Sequence, residues 1–134
     1  MQKKLLNSVK IRYPPSITKL ELILEKLRDL LTLPNSDLRE NGVIQVILFG
    51  SYSKNQYRWG SDVDLLFILK EESEVKFEEV YEVLLSLSNE FAWAPIVKFE
   101  KEIQKMCDEN YFWMIDALKT GKTIWKIDQT VILV

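Results

Sequence analysis

The sequence has no histidine and one cysteine among 134 residues. Without histidine, Ser-His and Cys-His nucleophile systems and the usual zinc-ligand sets are excluded. Any chemistry must therefore run on carboxylates, lysines, hydroxyls and bound metal. One cysteine, Cys107, cannot make a disulfide scaffold. It reads as a partly buried thiol with no chemical role, since no histidine is present to activate it. With no targeting segment apparent, a reducing, cytoplasmic location is expected. Long apolar runs are also missing, so no membrane span is expected. In the basic start MQKK, Leu5-Leu6 is followed by Asn7, Ser8 and Lys10, and no signal-peptide apolar region develops. Glycine and proline number four each, too few for a collagen-like or low-complexity chain. Strong charge of one sign is absent too. The net charge of -2 and a pI near 5.3 argue against a broad nucleic-acid-binding surface. Lys3, Lys4, Lys10, Arg12 and Lys19 make the first twenty residues basic, and they read as a solvated terminus in preference to a phosphate-contacting arm.

What is present is an ordinary globular composition, 47% hydrophobic and 28% charged, of a length that suits one domain. The expected organisation is a basic irregular extension over residues 1–15, a domain over 16–127 and a β-prone tail over 128–134. After Pro14-Pro15, Ser16 is a candidate N-cap, and Leu20, Ile23, Leu24, Leu27, Leu30 and Leu31 follow at helical spacing, with a stop near Leu33-Pro34. The polar stretch 35–42 reads as a connector with room for a helical turn. Val43–Phe49 is a short apolar run between glycines, hence a buried strand. Residues 51–60 suit a helical turn followed by a loop, and 62–69 a second strand. Residues 71–89 form an amphipathic helix whose acidic start (Glu71, Glu72, Glu74, Glu78, Glu79) favours helix-dipole stabilisation and a solvated face over metal binding. Residues 91–99 form a third strand, placed at an edge or a bulge by Pro95. Short helices over 101–106 and 111–120 follow, with Gly121 as a C′ residue, then β-prone segments at 123–127 and 130–134. Trp93, Phe99, Tyr111, Phe112, Trp113 and Trp125 are assigned to the core by default. The order predicts an α+β sandwich, a small mixed sheet with helices packed against it.

The stretch that carries chemistry is LFGSYSKNQYRWGSDVDLLFIL. A Gly50-Ser51 pair leaves one strand, and ten residues later Asp62 and Asp64 enter the next. Period-two geometry puts both carboxylates on one strand face. Gly50 lets backbone amides approach an anion, and Ser51 can donate its hydroxyl to a phosphate oxygen, with help from the positive end of any helix starting there. Paired carboxylates suit a hard divalent cation. Lys54 and Arg58 stand in the following loop, where triphosphate contact and simple solvation weigh equally. Tyr52, Tyr57 and Trp59 could stack a base or face a partner, but packing under the loop is at least as well supported.

Glycine-serine, ten residues, then Asp-x-Asp between two strands resembles the nucleotidyltransferase superfamily that includes DNA polymerase beta. Gly50, Ser51, Asp62 and Asp64 satisfy the pattern. Ser61 before the first Asp and the apolar Leu65-Leu66-Phe67 after the second also fit. Over residues 17–127 the chain looks like a minimal nucleotidyltransferase domain, the small type often paired with a helical HEPN protein in prokaryotes. The resemblance implies transfer of a nucleoside monophosphate from a nucleoside triphosphate to a hydroxyl acceptor, such as a tyrosine on a partner protein. It implies magnesium at Asp62 and Asp64, with two metal ions as an option. Gly50, Ser51, Lys54 and Ser61 would be nucleotide-binding. Self-association stays open.

One departure qualifies the resemblance. Catalytic members carry a third carboxylate on the neighbouring strand, and alignment on Ile96-Val97 puts Ala94 at that place. Three readings follow. Glu90 or Glu100 supplies the acid through a shifted register, two carboxylates suffice, or the domain is a non-catalytic, nucleotide-binding, antitoxin-like module for a HEPN-type partner.

Overall fold

The computed structural model describes residues 15–33, 36–54, 62–87 and 93–127. The basic extension and the 130–134 segment lie outside them, as do Tyr57, Arg58, Trp59, Ser61 and Glu90.

Helix α1 spans Pro15–Thr32. It starts at Pro15, so position 16, the expected N-cap, falls within the helix. Proline fits a first helical position because its missing N–H would have no intrahelical partner there. Ile23, Leu24, Leu27 and Leu31 form the buried stripe. The connector contains a short helix, α2 (Asp37–Glu40), capped by Ser36, whose Oγ accepts from the Arg39 N–H at 3.4 Å. Leu38 is buried beneath it.

Strand β1 occupies Val43–Phe49, matching the apolar run between the two glycines. A 3-10 turn, Gly50–Tyr52, leaves it, and β2 (Val63–Leu69) returns antiparallel. Helix α3 (Glu74–Leu87) then crosses over, as parallel neighbours require, and β3 (Trp93–Phe99) pairs parallel with β2. The Ser73 Oγ accepts from the Lys76 N–H, giving α3 a cap just ahead of its glutamates. Helices α4 (Glu100–Asp108) and α5 (Phe112–Thr120) follow, and β4 (Lys122–Lys126) pairs antiparallel with β1. The strand order β3-β2-β1-β4 puts Pro95 on an edge strand, where its missing donor is tolerated. Among the described residues the fold is thus a four-stranded mixed sheet with five α-helices, an α+β sandwich.

The sheet has a core on each face. Val46, Leu48, Leu65, Phe67 and Val97 join Leu27, Leu31, Val80 and Leu84 from α1 and α3. On the other face, Ile47, Leu66 and Ile68 meet Ile103 and Met106 of α4 and Met114 of α5. Strand β2 is central and covered on both sides, which explains the continuous apolar run from Leu65 to Leu69. Its one polar residue is Asp64, near the end where the chain enters the sheet.

Two expectations about the C-terminal third fail. Trp93 and Trp125 are buried, but Tyr111, Phe112 and Trp113 are 47%, 78% and 43% exposed. Tyr111 immediately precedes α5, and Phe112 and Trp113 lie on the first turn of that helix, whose inward positions are taken by Met114 and Ala117. Gly121 does cap α5, but with φ -72° and ψ 164°, so it is not a left-handed C′ residue. Its glycine serves close packing: a Cβ there would collide with the Ala117 carbonyl and come within 2.7 Å of the Ile47 side chain. Left-handed backbone falls instead at Asn110 (φ 63°), in the turn between α4 and α5.

Candidate active site

The Gly50 turn is built for close approach. Gly50 has φ 74°, a region that costs side-chain-bearing residues about 1–2 kcal/mol. A Cβ at this position would collide with the Asp64 carboxylate, so the backbone and that carboxylate are in direct apposition. The register explains the contact, since Phe49 and Asp64 are Cα partners across β1 and β2. Ser53 locks the turn: its Oγ donates to the Gly50 carbonyl at 2.8 Å, and its backbone N–H donates to the same oxygen at 3.2 Å. Ser51 is half-buried within the turn. Three residues of 3-10 helix supply little dipole, so an anion here would meet individual N–H groups.

Asp64 is partly buried, and Asp62, one step before β2, is exposed. The Asp64 carboxyl is pushed above its ordinary value, first by desolvation and then by the negative charge of Asp62. Two carboxylates therefore repel each other at the rim of the sheet, one of them poorly hydrated. A cation would relieve both costs.

Across β2 and β3, Asp64 is the Cα partner of Ala94. Paired residues of neighbouring strands lie about 4.8 Å apart, so Ala94 stands beside Asp64 where another carboxylate would complete a three-acid set. Glu100 cannot fill that role. Phe99 pairs with Leu69, so Glu100 lies beyond the opposite end of β3, roughly 20 Å from Ala94 at about 3.3 Å per residue. The shifted-register reading therefore fails for Glu100. No group of three or more acidic or cysteine side chains among the described residues is arranged to hold a metal ion.

Lys54 is near the turn but engaged elsewhere: its Nζ pairs with Asp116 of α5 at 3.0 Å. Tyr52 is 3% exposed and packs in the α1–α3 core, so at this residue packing prevails over base stacking. Three participants escaped the sequence reading. Ser53 carried a weak signal, a hydroxyl three residues after a strand-ending glycine. Asp116 and Trp113 carried none, because tertiary packing alone brings α5 to the turn. The Trp113 ring lies 6.2 Å from that of Phe49.

The family pattern for the nucleotidyltransferase domain matches residues 35–120. The match covers more than half of the chain, and the chain belongs to this family. Among solved structures it is similar to a candidate nucleotidyltransferase from Sulfolobus solfataricus, with a TM-score of 0.57 and 18% identity over 92% of this chain and 97% of that one. At this identity the likeness is one of fold. A toxin-antitoxin structure with AMP-PNP also aligns, at a TM-score of 0.43 and 18% identity over 79% of this chain and 75% of that one. A comparison with curated proteins returns no significant match. No helix among the described residues is long and apolar enough to cross a membrane.

Proposed function

We propose that this domain is a metal-dependent nucleotidyltransferase acting in the cytoplasm. It transfers a nucleoside monophosphate from a nucleoside triphosphate to a hydroxyl acceptor. The acceptor oxygen forms a bond to the α-phosphorus, the bond to the β-phosphate oxygen breaks, and pyrophosphate leaves. The observation that carries the reading is the apposition of the Asp64 carboxylate to the Gly50 backbone, with the Asp62 charge beside it. This arrangement places anion-tolerant backbone and cation-seeking carboxylates side by side.

Asp62 and Asp64 would hold magnesium, which when bound polarises the phosphoryl oxygen and acidifies the acceptor hydroxyl. The donor set fits: two carboxylates leave room for the phosphate and water oxygens that magnesium normally retains. Gly50 and Ser51 receive the β- and γ-phosphates, and Ser61 and Lys54 complete the nucleotide contacts. Lys54 must exchange Asp116 for phosphate, a modest change because both partners are substantially exposed. The acceptor is a hydroxyl on a partner, a tyrosine of a helical HEPN-type protein being the leading example.

Ala94 beside Asp64 supports a second reading, a non-catalytic nucleotide-binding module that neutralises such a partner. Thermal melting and transfer of radiolabelled nucleotide separate the two. Magnesium with a nucleoside triphosphate at a hundred times its Kd should stabilise the wild type by about 2.7 kcal/mol. Asp62→Ala and Asp64→Ala should lose most of that gain. Labelling of an acceptor supports the enzyme, whereas binding without labelling supports the module. An equal shift in all three proteins would sink both.

A further inference from the structure

The start of α5 exposes three large aromatic side chains, Tyr111 just before its first turn and Phe112 and Trp113 on it, and Trp113 is tied to the candidate site. The Trp113 ring stands 6.2 Å from the Phe49 ring, at 36° to it. Phe49 is the Cα partner of Asp64, and directly paired residues of an antiparallel ladder share a sheet face. Paired Cα atoms lie about 5 Å apart. The indole therefore stands on the Asp64 side of the sheet, one ring beyond Phe49.

The indole is also held in place. Met114, the next residue of α5, is buried in the core against β1 and β2, and Asp116 of the same helix pairs with Lys54 just past the Gly50 turn while no phosphate claims that lysine. Gly121, lacking a Cβ, lets the end of α5 close onto β1. Trp113 is nevertheless 43% exposed. A large aromatic ring, backed by a second ring and anchored by its helix, has surface open near the Gly50 turn. Such a surface suits the flat apolar face of a base.

We infer that Trp113 is the base-stacking wall of this site: the nucleobase of a triphosphate seated at Gly50 and Asp64 lies against the indole. The inference rests on the nucleotide-binding reading above. Stacking uses the π-face common to all bases, so Trp113 sets affinity for the nucleoside half and favours the larger purines without reading hydrogen-bonding edges.

The test compares the full-length wild type, Trp113→Ala and Trp113→Phe by calorimetric titration, each with magnesium ATP and with magnesium tripolyphosphate, which has no base. Trp113→Ala should weaken ATP binding by about five- to a hundredfold and leave tripolyphosphate binding unchanged. Trp113→Phe should keep most of the ATP affinity. ATP should quench part of the tryptophan emission of the wild type, and Trp113→Phe should lose that part. If Trp113→Ala binds ATP as the wild type does, or weakens both ligands equally, Trp113 is a packing residue and the inference falls. If the wild type binds neither ligand, the nucleotide reading falls and takes the inference with it. If the wild type binds both ligands equally well, the inference alone falls.

Discussion

Alanine at Gly50 and alanine at Gly42 should cost similar stability yet differ completely in their effect on ligand binding. Both glycines have positive φ, 74° and 89°. A residue with a side chain pays about 1–2 kcal/mol in that region. An unfolding entropy of about 2.1 cal/mol/K per residue gives roughly 0.28 kcal/mol/K for a chain of this length. Each substitution should therefore lower Tm by about 4–7 °C. The surroundings are where they differ. A Cβ at position 42 meets only the Lys76 Cδ, at 3.9 Å, an ordinary contact. A Cβ at position 50 collides with the Asp64 carboxylate and stands 3.2 Å from its Cγ.

That carboxylate is the end of a side chain that can rotate. The collision is resolved by swinging Asp64 off the turn, not by unfolding the sheet, so little further stability is lost. Ligand binding should respond sharply, because the carboxylate placed to hold the cation no longer faces the turn that receives the phosphates. Melting curves with and without magnesium and nucleoside triphosphate measure both effects at once. Gly42→Ala should keep the ligand-induced shift, and Gly50→Ala should lose it. A third variant isolates the cause: adding Asp64→Ala to Gly50→Ala should not lower Tm further, since no carboxylate remains to be displaced. Retention of the full shift by Gly50→Ala, or its loss in Gly42→Ala, would refute the reasoning.

Two further predictions concern charge. Because the folded Asp64 carboxyl titrates above its unfolded value, the folded state binds more protons between the two values, and this group's contribution falls as pH rises through that window. Asp64→Asn should therefore melt above the metal-free wild type at pH 7, with the gap closing below about pH 4; a gap that stays constant with pH in melts from pH 3 to 8 would contradict this. Ala94→Asp puts a carboxylate beside Asp64, so it should lower Tm in chelator and raise it more than the wild type does on adding magnesium. An unchanged magnesium response, measured by the same melts, would remove Ala94 from the site.

The fold was legible where local chemistry decides it. Gly42 and Gly50 bracket an apolar run of strand length, and β1 fills the interval. Pro95 announces an edge, and β3 lies at one. Legibility failed where local pattern and tertiary burial part company. Tyr111, Phe112 and Trp113 have strong core propensity, but α5 buries only one side and Met114 and Ala117 already occupy it. Gly121 follows a helix and so suggests a left-handed cap, yet its real constraint is Ile47, a neighbour brought close only by the sheet.

The same division runs through the candidate site. Gly50, Ser51, Asp62 and Asp64 can be read together because one turn and one returning strand link them, with Asp62 one residue before that strand and its charge felt at Asp64. The apposition of Gly50 and Asp64 needs one thing more, the antiparallel register that pairs Phe49 with Asp64. Ala94 needs a second register, across a parallel pair separated by a whole helix. Lys54 and Asp116 are 62 residues apart, and no spacing rule connects them. They join the end of the turn to α5, which Met114 in the core and Gly121 against Ile47 seat on the sheet, and with it the indole of Trp113. The carboxylate pair lies within one hairpin and can be recognised from sequence. The wall that would select the rest of the ligand is supplied by a distant helix, so it becomes visible only once that helix has closed over the sheet.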